Sequence, residues 1–531
     1  MTIVLCSILL VVFFAVMVGI GIYTRKNATD VNGFVLGGRS VGPWLTAFAF
    51  GTSYFSAVIF VGYAGQFGWL FGLASTWAGL GNAFIGSLLA WNILGRRTRI
   101  MSQHLDAKTM PDFFGKRFDS VPLKVAASAI VFVFLIPYTA SLYNGLSSLF
   151  GLVFDIPYWV IILVMAVLTG IYVIVGGYMA TAINDFIQGI IMLLGISAVI
   201  LAVLKDNGGL LAAMQSLSAV PAEGWSGGAY TSFFGPDPLF LLFVVILTSL
   251  GTWGLPQMVG KFYAIKSEKD IHKGTVISTV FAIIVAGGCY FLGGFGRLYT
   301  DKLGLEPGQT PLFDKIVPTM LSTLPSIIIA IVIVLVLSAS MSTLSSLVLT
   351  SSSTLTLDVI KPFSKKMDDK KQVLVMRVFI VVFIAISAII AVFKDMNPNA
   401  TFIAQMMGVS WGGLAGAFLA PYLYSLYTKK VTKAATVVCF IWGTALATTQ
   451  FIISMVIPKG EIVNTLGSFL GNYVFKSSIH SGVFAMVGGL ILVPIISAIT
   501  PKMAQDKVDD AFKCYEEAVQ VKKVVSLEDG E

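Results

Sequence analysis

The sequence is poor in charged residues, which make up 12% of its 531 positions, whereas a soluble globular chain carries about 25%. Hydrophobic residues make up 56%, so the polar surface that a water-soluble protein needs is missing. The four cysteines, Cys6, Cys289, Cys439 and Cys514, are scattered, which predicts neither a disulfide framework nor a cysteine metal site. No P-loop occurs, so we do not expect ATP to drive the protein directly. These absences point to a membrane protein.

The sequence is instead rich in long apolar runs. Thirteen of them have at least 20 residues, enough to cross about 30 Å of hydrocarbon as a helix. They lie at 3–24, 43–65, 68–94, 122–150, 157–176, 184–204, 237–262, 275–297, 325–357, 373–394, 401–426, 433–457 and 479–500. The segments between them are shorter than the roughly 40 residues that a core needs. The sequence therefore predicts an all-α polytopic membrane protein of about 13 transmembrane helices that is not an enzyme.

Basic residues set the predicted orientation. Arg25 and Lys26 directly follow the first run, and no basic residue precedes it. Of the 35 Lys and Arg residues, those that fall on predicted outer segments are Lys205, Arg297, Lys302, Lys315, Lys394, Lys459 and Lys476. By the positive-inside rule the amino terminus lies outside and the carboxyl terminus inside. The net charge of +8 thus needs no nucleic-acid partner. The tail 501–531 is expected to form a short amphipathic helix with a disordered end, and we assign it no function.

Two apolar runs are interrupted in similar ways. The second contains a Gly and hydroxyl-rich stretch at 51–56, and the seventh contains the stretch 251–256. Pro256 has no N–H, so the carbonyl of Thr252 loses its helical partner. Inside a membrane, free backbone groups are tolerated where they line a cavity or bind something. Gly and Pro also occur in membrane helices that merely kink, but two breaks five runs apart favour an inverted-repeat transporter.

The ninth run carries a polar face. Positions 339, 342, 343 and 346 follow helical spacing, and three of them bear hydroxyls. A small hard cation prefers several oxygen ligands, and carbonyls at Thr52 and Phe55 could face this helix. The alternative is that each hydroxyl bonds the carbonyl one turn back in its own helix.

Asp185 is an acid at the start of the sixth run, and ionisable residues inside membrane spans are functional candidates. The short segment before it, 177–183, has no Lys or Arg, which would favour a cation leaving toward the cytoplasm. The alternative is an N-cap of that helix, and one residue can serve both roles. Apart from Asp185, we expect no central charge in the core.

At this point the motifs resemble those of the sodium:solute symporter family. They are GGRSVGP at 37–43, MPDFF at 110–114, GLP at 254–256 and ASMSTL at 339–344. The likeness runs from about residue 10 to 500. It implies a LeuT-type 5+5 inverted repeat, preceded by one helix and followed by two. The implied division is 1–42, an extra helix and inner loop; 43–204, the first repeat; 237–426, the second repeat; 433–500, two additional helices; and 501–531, a cytoplasmic tail.

The resemblance also implies site residues. The implied sodium ligands are the backbone carbonyls of Thr52, Phe55 and Ala339 and the side chains of Ser342 and Thr343. Asp185 matches a family acid on the inner sodium path. Positions that match or adjoin substrate contacts in the sodium/proline branch are Ser56, Tyr138, Thr252, Trp253 and Pro256.

The substrate prediction is broader, because the motifs depart from each branch. Tyr54 stands where the proline branch has Asp, and Thr252 where it has an aromatic. The run 68–94 lacks the acids of sugar carriers, and the stretches 54–57 and 254–256 look closer to the pantothenate branch.

We predict a sodium-coupled importer of a small amino acid, carboxylate or pantothenate-like solute, working by alternating access in a bacterial plasma membrane. The alternatives are a transporter-like ligand sensor, a sodium-coupled sugar transporter or a passive channel, and protons could replace sodium. The expected partners are the solute and membrane lipid, with neither nucleic acid nor an obligatory protein partner.

Overall fold

The computed structural model describes residues 2–150, 154, 156–305, 309–364, 367–395 and 403–528. Within these ranges the chain is helical and contains no β-sheet, and the extended pairings are two isolated bridges, Val41–Ile265 and Ala222–Trp225. The α-helices are α1 Thr2–Thr24, α2 Val31–Leu36, α3 Pro43–Tyr54, α4 Ala64–Phe71, α5 Thr76–Gly81, α6 Arg96–His104, α7 Met110–Arg117, α8 Val121–Phe150, α9 Tyr158–Asp206, α10 Leu210–Ser218, α11 Pro238–Leu250, α12 Pro256–Ala264, α13 Glu268–Ala282, α14 Gly288–Gly293, α15 Phe313–Ser322, α16 Ser326–Thr354, α17 Lys361–Phe363, α18 Asp369–Asp395, α19 Ile403–Tyr427, α20 Lys433–Val456, α21 Ile462–Leu466, α22 Ser478–Ile499 and α23 Gln505–Glu528.

Shorter helical turns of other kinds join these helices. The π-helical segments are Val58–Tyr63, Asn82–Leu89, Trp91–Gly95, Ile283–Gly287, Leu355–Ile360 and Leu470–Val474. The 3₁₀ turns are Arg25–Asn27, Gly37–Arg39, Gly72–Ser75, Ala229–Thr231, Gly251–Gly254, Gly296–Tyr299, Asp301–Leu303 and Lys459–Glu461. Turns of both kinds are common where helices bend near functional sites.

Within the described ranges, nine helical segments are long and apolar enough to cross a membrane, or ten if the bent pair α11–α12 is one span. The sequence predicts thirteen runs. The numbers differ because two segments each include all or part of two runs, and because the eleventh run, 401–426, is not among the ten, although α19 covers most of it. Tyr158–Asp206 has 49 residues and Val58–His104 has 47, each about twice the ~20 residues that one crossing needs. The first of these turns at Gly177, whose φ of 56° and ψ of −146° are open to glycine.

Both predicted helix interruptions are confirmed. Helix α3 ends at Tyr54, and Phe55 is extended with φ −83° and ψ 111°. After α11, the turn Gly251–Gly254 leads to Leu255, which is extended with φ −86° and ψ 119° before α12 begins at Pro256. The axes on either side of this second break differ by 47°. One extended residue thus opens the hydrogen-bond ladder at each break.

The broken helices lie in the interior. The residues of α3 from Thr46 to Tyr54 are buried, and so is the whole of α16 from Leu335 to Leu349. Helix α16 packs against α3, α8 and α9. By contrast, α1 exposes a series of large apolar side chains, as expected for a helix that faces lipid.

The carboxyl-terminal helix α23 is docked against the body of the protein. Val508, Ala511, Phe512 and Cys514 are buried on one of its faces. The predicted helix in the tail is confirmed, but it is longer than expected, with 24 residues, and its first half packs on α6. Residues 529–531 lie outside the described part of the chain.

Candidate ion and substrate sites at the broken helices

The first break in the helix ladder frees backbone carbonyls beside α16. Because Phe55 is extended, the carbonyls that precede it have lost their usual partners four residues on. The Ser342 hydroxyl lies 3.2 Å from the Thr52 carbonyl oxygen, and the Thr343 hydroxyl lies 3.0 Å from the same oxygen. Thr343 also lies 3.3 Å from the carbonyl oxygen of Phe55. Helices α3 and α16, which are distant in sequence, are thus in contact through backbone carbonyls of one and hydroxyls of the other.

The Ala339 carbonyl closes this group on the side of α16. Its oxygen lies 3.2 Å from the Ser342 hydroxyl and 3.1 Å from the Thr343 hydroxyl. All five residues predicted to hold sodium are therefore brought together, and each has an exposed fraction of 0%. Three carbonyls and two hydroxyls form a neutral set of hard oxygen donors, which suits a small monovalent cation. Both hydroxyls can rotate so that their lone pairs face an ion in place of their protons.

A buried ion pair between α12 and α9 lies beside the next turn of α16, at Ser346. The Ser346 hydroxyl lies 2.8 Å from that of Ser53 and accepts a hydrogen bond from Lys261 Nζ at 3.0 Å. The same Nζ lies 3.7 Å from Asp185 Oδ2, and 5.3 Å from the centre of the Tyr178 ring. The expectation of no central charge apart from Asp185 is wrong, because Lys261 has an exposed fraction of 4%.

Asp185 is not the N-cap of a helix. Helix α9 continues through residue 185, and its non-helical residue is Gly177, two turns earlier. The N-cap interpretation is therefore wrong, and the carboxylate is a fully buried charge inside a helix. Its sequence signal was a single acid in an apolar run, which the structure pairs with a lysine from α12.

A cleft leads to this pair from the face of the molecule that carries α7. Its walls include Lys108, Thr109, Pro256, Lys261, Ser346 and Thr350. Pro256, predicted to contact substrate, is thus one of its lining residues. The cleft connects the region of the ion pair with the loop between α6 and α7.

A second ion cluster stands beside the mouth of the cleft. Lys124 Nζ lies 2.7 Å from Asp112 Oδ1 and 3.2 Å from Asp358 Oδ1, and the Thr109 hydroxyl donates to Asp358 Oδ2 at 2.6 Å. Burial raises the pKa of the Asp112 carboxyl, but the charges of Lys124 and Lys116 outweigh it and hold that pKa below its ordinary value. The cluster fastens α7 to α8 and to the end of the α16 segment.

Ser56 and Tyr138 offer polar atoms without partners. The Ser56 and Tyr138 hydroxyls are buried and find no hydrogen-bond partner among the described residues. The Tyr138 ring packs edge-on against Trp411, with centroids 6.1 Å apart and planes at 84°, and the Trp411 indole N–H is likewise unpartnered in the described part of the chain. The Tyr138 hydroxyl faces both the Ser56 hydroxyl and the Trp411 indole, so the three groups form one polar cluster without a hydrogen bond of good geometry. Buried polar groups are normally well bonded, so this cluster beside the first break is a candidate place for a polar ligand.

Trp411 was not predicted from the sequence. The stretch 408–412 matches G-x-S-x-G, a pattern of strand-to-helix elbows that has no meaning inside a membrane helix. An indole in the middle of a glycine-rich apolar run was the available signal. Its neighbour Tyr138 is 273 positions away, and only the fold brings them together.

Thr252 and Trp253 use their side chains to hold the second break in place. The Thr252 hydroxyl lies 2.9 Å from the Ser249 carbonyl oxygen and 3.1 Å from that of Gly86, which share its single proton, and the Trp253 indole donates to the Ile85 carbonyl at 3.0 Å. These donors are already engaged, so any contact of this stretch with a solute would be through its backbone or ring faces.

The arrangement defines a class of protein. An all-helical chain with many apolar spans, two broken helices and a buried set of oxygens at one break is a membrane carrier. The comparisons with known proteins make this specific. The profile of the sodium:solute symporter family matches residues 34–443.

Two relatives and one solved structure extend this match. The chain is 30% identical over 444 residues to the osmoregulated proline transporter OpuE of Bacillus subtilis (strain 168), covering 82% of this chain and 86% of the relative. It is 29% identical over 509 residues to the sodium/proline symporter of Staphylococcus aureus (strain NCTC 8325 / PS 47), covering 94% and 92%. A sodium-coupled sialic acid symporter, solved substrate-bound and outward-open, superposes with a TM-score of 0.73 at 17% identity, covering 94% of this chain and 98% of that one.

The chain belongs to the sodium:solute symporter family. It is a sodium-coupled solute symporter of the plasma membrane with sodium as the co-transported ion, as the sequence predicts. The fold it shares with the sialic acid symporter is all-helical.

Proposed function

We propose that this symporter imports a small amino acid, with proline as the first candidate, together with sodium. The observation that carries the proposal is the meeting of the Thr52 and Phe55 carbonyls with the hydroxyls of Ser342 and Thr343. An ion bound there would join the first broken helix to α16, so its arrival would change how those helices pack. The names of the two curated relatives favour proline.

The unpartnered groups support a neutral, zwitterionic substrate. Ser56, Tyr138 and Trp411 supply hydroxyl and indole groups but no charge. A substrate carboxylate would rest on the free N–H groups at the start of a half-helix and on the ion itself. Asp185 serves the ion rather than the solute, on a path that leaves through the cleft.

Coupling to sodium supplies enough free energy. One charge crossing 100 mV is worth ~2.3 kcal/mol. A tenfold sodium gradient adds ~1.4 kcal/mol. Together they could accumulate a neutral solute several-hundred-fold.

We further propose that the chain crosses the membrane thirteen times, as a LeuT-type 5+5 repeat with its amino terminus outside and carboxyl terminus inside. The proposed division is 1–42, 43–204, 237–426, 433–500 and 501–531. The near-identical extended conformations of Phe55 and Leu255 support a repeat relation between 43–204 and 237–426. A break at Gly177 supports two crossings within Tyr158–Asp206. The apolar surface of α1 is proposed to face lipid.

The test is uptake into proteoliposomes of a labelled panel of proline, other small amino acids, short carboxylates, pantothenate and sugars. We expect proline or a near relative to accumulate with an inward sodium gradient and not with an inward proton gradient alone. Accumulation of a different compound would show that the substrate is that compound and not proline. Ligand binding without any accumulation would contradict transport and favour a sensor.

A further inference from the structure

Lys261 places a positive charge in the interior of the protein. It lies in α12, five residues after Pro256, and its side chain has an exposed fraction of 4%. Charged groups buried in a membrane protein are costly unless they are paired, and they usually serve a function. Its Nζ is 3.7 Å from Asp185 Oδ2, which is ion-pair distance but too long for a hydrogen bond.

The surroundings of this ammonium resemble those of a bound cation. Lys261 Nζ is the charge that faces the Asp185 carboxylate, at 3.7 Å from Oδ2, and neither carboxylate oxygen has a closer polar partner within hydrogen-bond distance among the described residues. The Ser346 hydroxyl, which accepts from Lys261, is linked to Ser53. The Asp185 carboxylate and the Ser346 hydroxyl thus face one position, which is filled by an ammonium that belongs to the chain.

This position adjoins the proposed sodium site without coinciding with it. Ser53 follows Thr52 directly in α3, and Ser346 lies one turn beyond Ser342 and Thr343 in α16. Among the described residues, the ammonium makes no hydrogen bond to the carbonyl or hydroxyl oxygens of the proposed sodium site. Two separate cation positions therefore share the same pair of helices.

We propose that Lys261 is a tethered cation: its ammonium neutralises Asp185 in a place that a second sodium ion would otherwise fill, so that one sodium ion, rather than two, accompanies each solute. The inference rests on the proposed function. Because the lysine stays with the protein when sodium leaves, the empty carrier can reorient without an unpaired buried carboxylate. Lys261 is a positioning residue in this scheme, since it acts on the charge of Asp185.

A purely structural ion pair would behave differently. Such a pair would hold α12 against α9, and its loss would lower stability without altering the number of ions bound. The number of sodium ions bound per chain therefore separates the two roles.

The experiment is equilibrium binding of radioactive sodium to the purified full chain in detergent, at alkaline pH so that a carboxyl without its ammonium is ionised. We expect one sodium per chain in the wild type and in Lys261→Arg, and two in Lys261→Met. The double variant Lys261→Met/Asp185→Asn should return to one. Lys266→Met, which removes an exposed lysine just beyond α12, is the matched control and should leave the number at one.

Two results would overturn the inference: two sodium ions in the wild type, or one in a folded Lys261→Met. If Lys261→Met does not fold, the wild type and the double variant carry the test, and one sodium ion per chain is expected in each. The wild-type number still tests the inference if neither variant folds. Absence of any sodium binding in the wild type would refute the proposed sodium coupling itself, which is a distinguishable failure.

Discussion

Single hydroxyl groups differ in what they contribute to the proposed sodium site. The Thr343 hydroxyl contacts three carbonyl oxygens, whereas that of Ser342 contacts two. Thr343→Ala should therefore raise the sodium concentration for half-maximal uptake more than Ser342→Ala does. A lost contact to a charged group is worth about 1.5 kcal/mol or more, or at least about tenfold. Thr343→Ser keeps the hydroxyl and is the control, and unchanged sodium dependence in both alanine variants would contradict the site.

The Tyr138 hydroxyl offers a test of the substrate site at the same scale. Because the hydroxyl makes no hydrogen bond of good geometry among the described residues, Tyr138→Phe should change the melting temperature little. If the hydroxyl binds the solute, the same change should raise KM about tenfold without altering sodium dependence, since a lost hydrogen bond is worth about 1–2 kcal/mol. Thr139→Val is the matched control, because that hydroxyl already donates to the Leu135 carbonyl. An unchanged KM would remove Tyr138 from the site.

How far the sequence predicts the site depends on where each signal lies. Hydroxyls at helical spacing, a Gly and hydroxyl-rich stretch and a proline inside an apolar run are local features, so both breaks and the polar face of α16 could be predicted from them. The full set of five proposed sodium ligands came from the family resemblance. Lys261 was missed because it stands at the end of a predicted run, where a lysine normally reaches for the headgroups. Its partner, Asp185, comes from a helix 76 positions earlier, and a pairing over that distance exists only in the folded chain.

Among the helices, α23 differs most from its prediction. The Arg97 guanidinium stacks between the rings of Tyr427 and Tyr515, 4.1 Å and 4.7 Å from their centroids. Arg117 lies 5.2 Å from the centroid of Phe512, and Lys429 pairs with Asp509 at 2.6 Å. The amphipathic pattern of this helix can be recognised in the sequence. The aromatic and basic surface on which the helix packs comes from three separate parts of the chain, so the docking could not be predicted.

This docking predicts the effect of shortening one side chain. Phe512→Ala removes a nearly buried ring and its contact with Arg117, so α23 should open more often. We expect amide hydrogen exchange in residues 505–516 to accelerate at least tenfold, measured by mass spectrometry. Asp506→Ala, on the exposed face, should leave the exchange unchanged. Equal exchange in both variants would contradict the docking.

At the scale of the whole molecule, alternating access should change how accessible the cleft is from the cytoplasm. Thr350 lines its wall and is partly exposed. In a background without the four native cysteines, Thr350→Cys should react with an impermeant maleimide from the cytoplasmic side, and sodium should slow that reaction. Phe363→Cys, at a highly exposed position past the cleft, is the control and should react equally with and without sodium. Reaction from the outer side alone would contradict the proposed orientation.

The isolated bridge beside the broken helices also bears on how tightly the two transported species are linked. The Val41 N–H donates to the Ala264 carbonyl at 3.2 Å, and the Lys266 N–H donates to the Val41 carbonyl at 2.9 Å. Arg39 adds a bond to the Tyr263 carbonyl at 3.2 Å. The segment that leads into α3 and the end of α12 are thus joined by three hydrogen bonds, so a movement of one half-helix should be transmitted to the other. Such a link opposes uncoupled transport, in which sodium crosses the membrane without the solute.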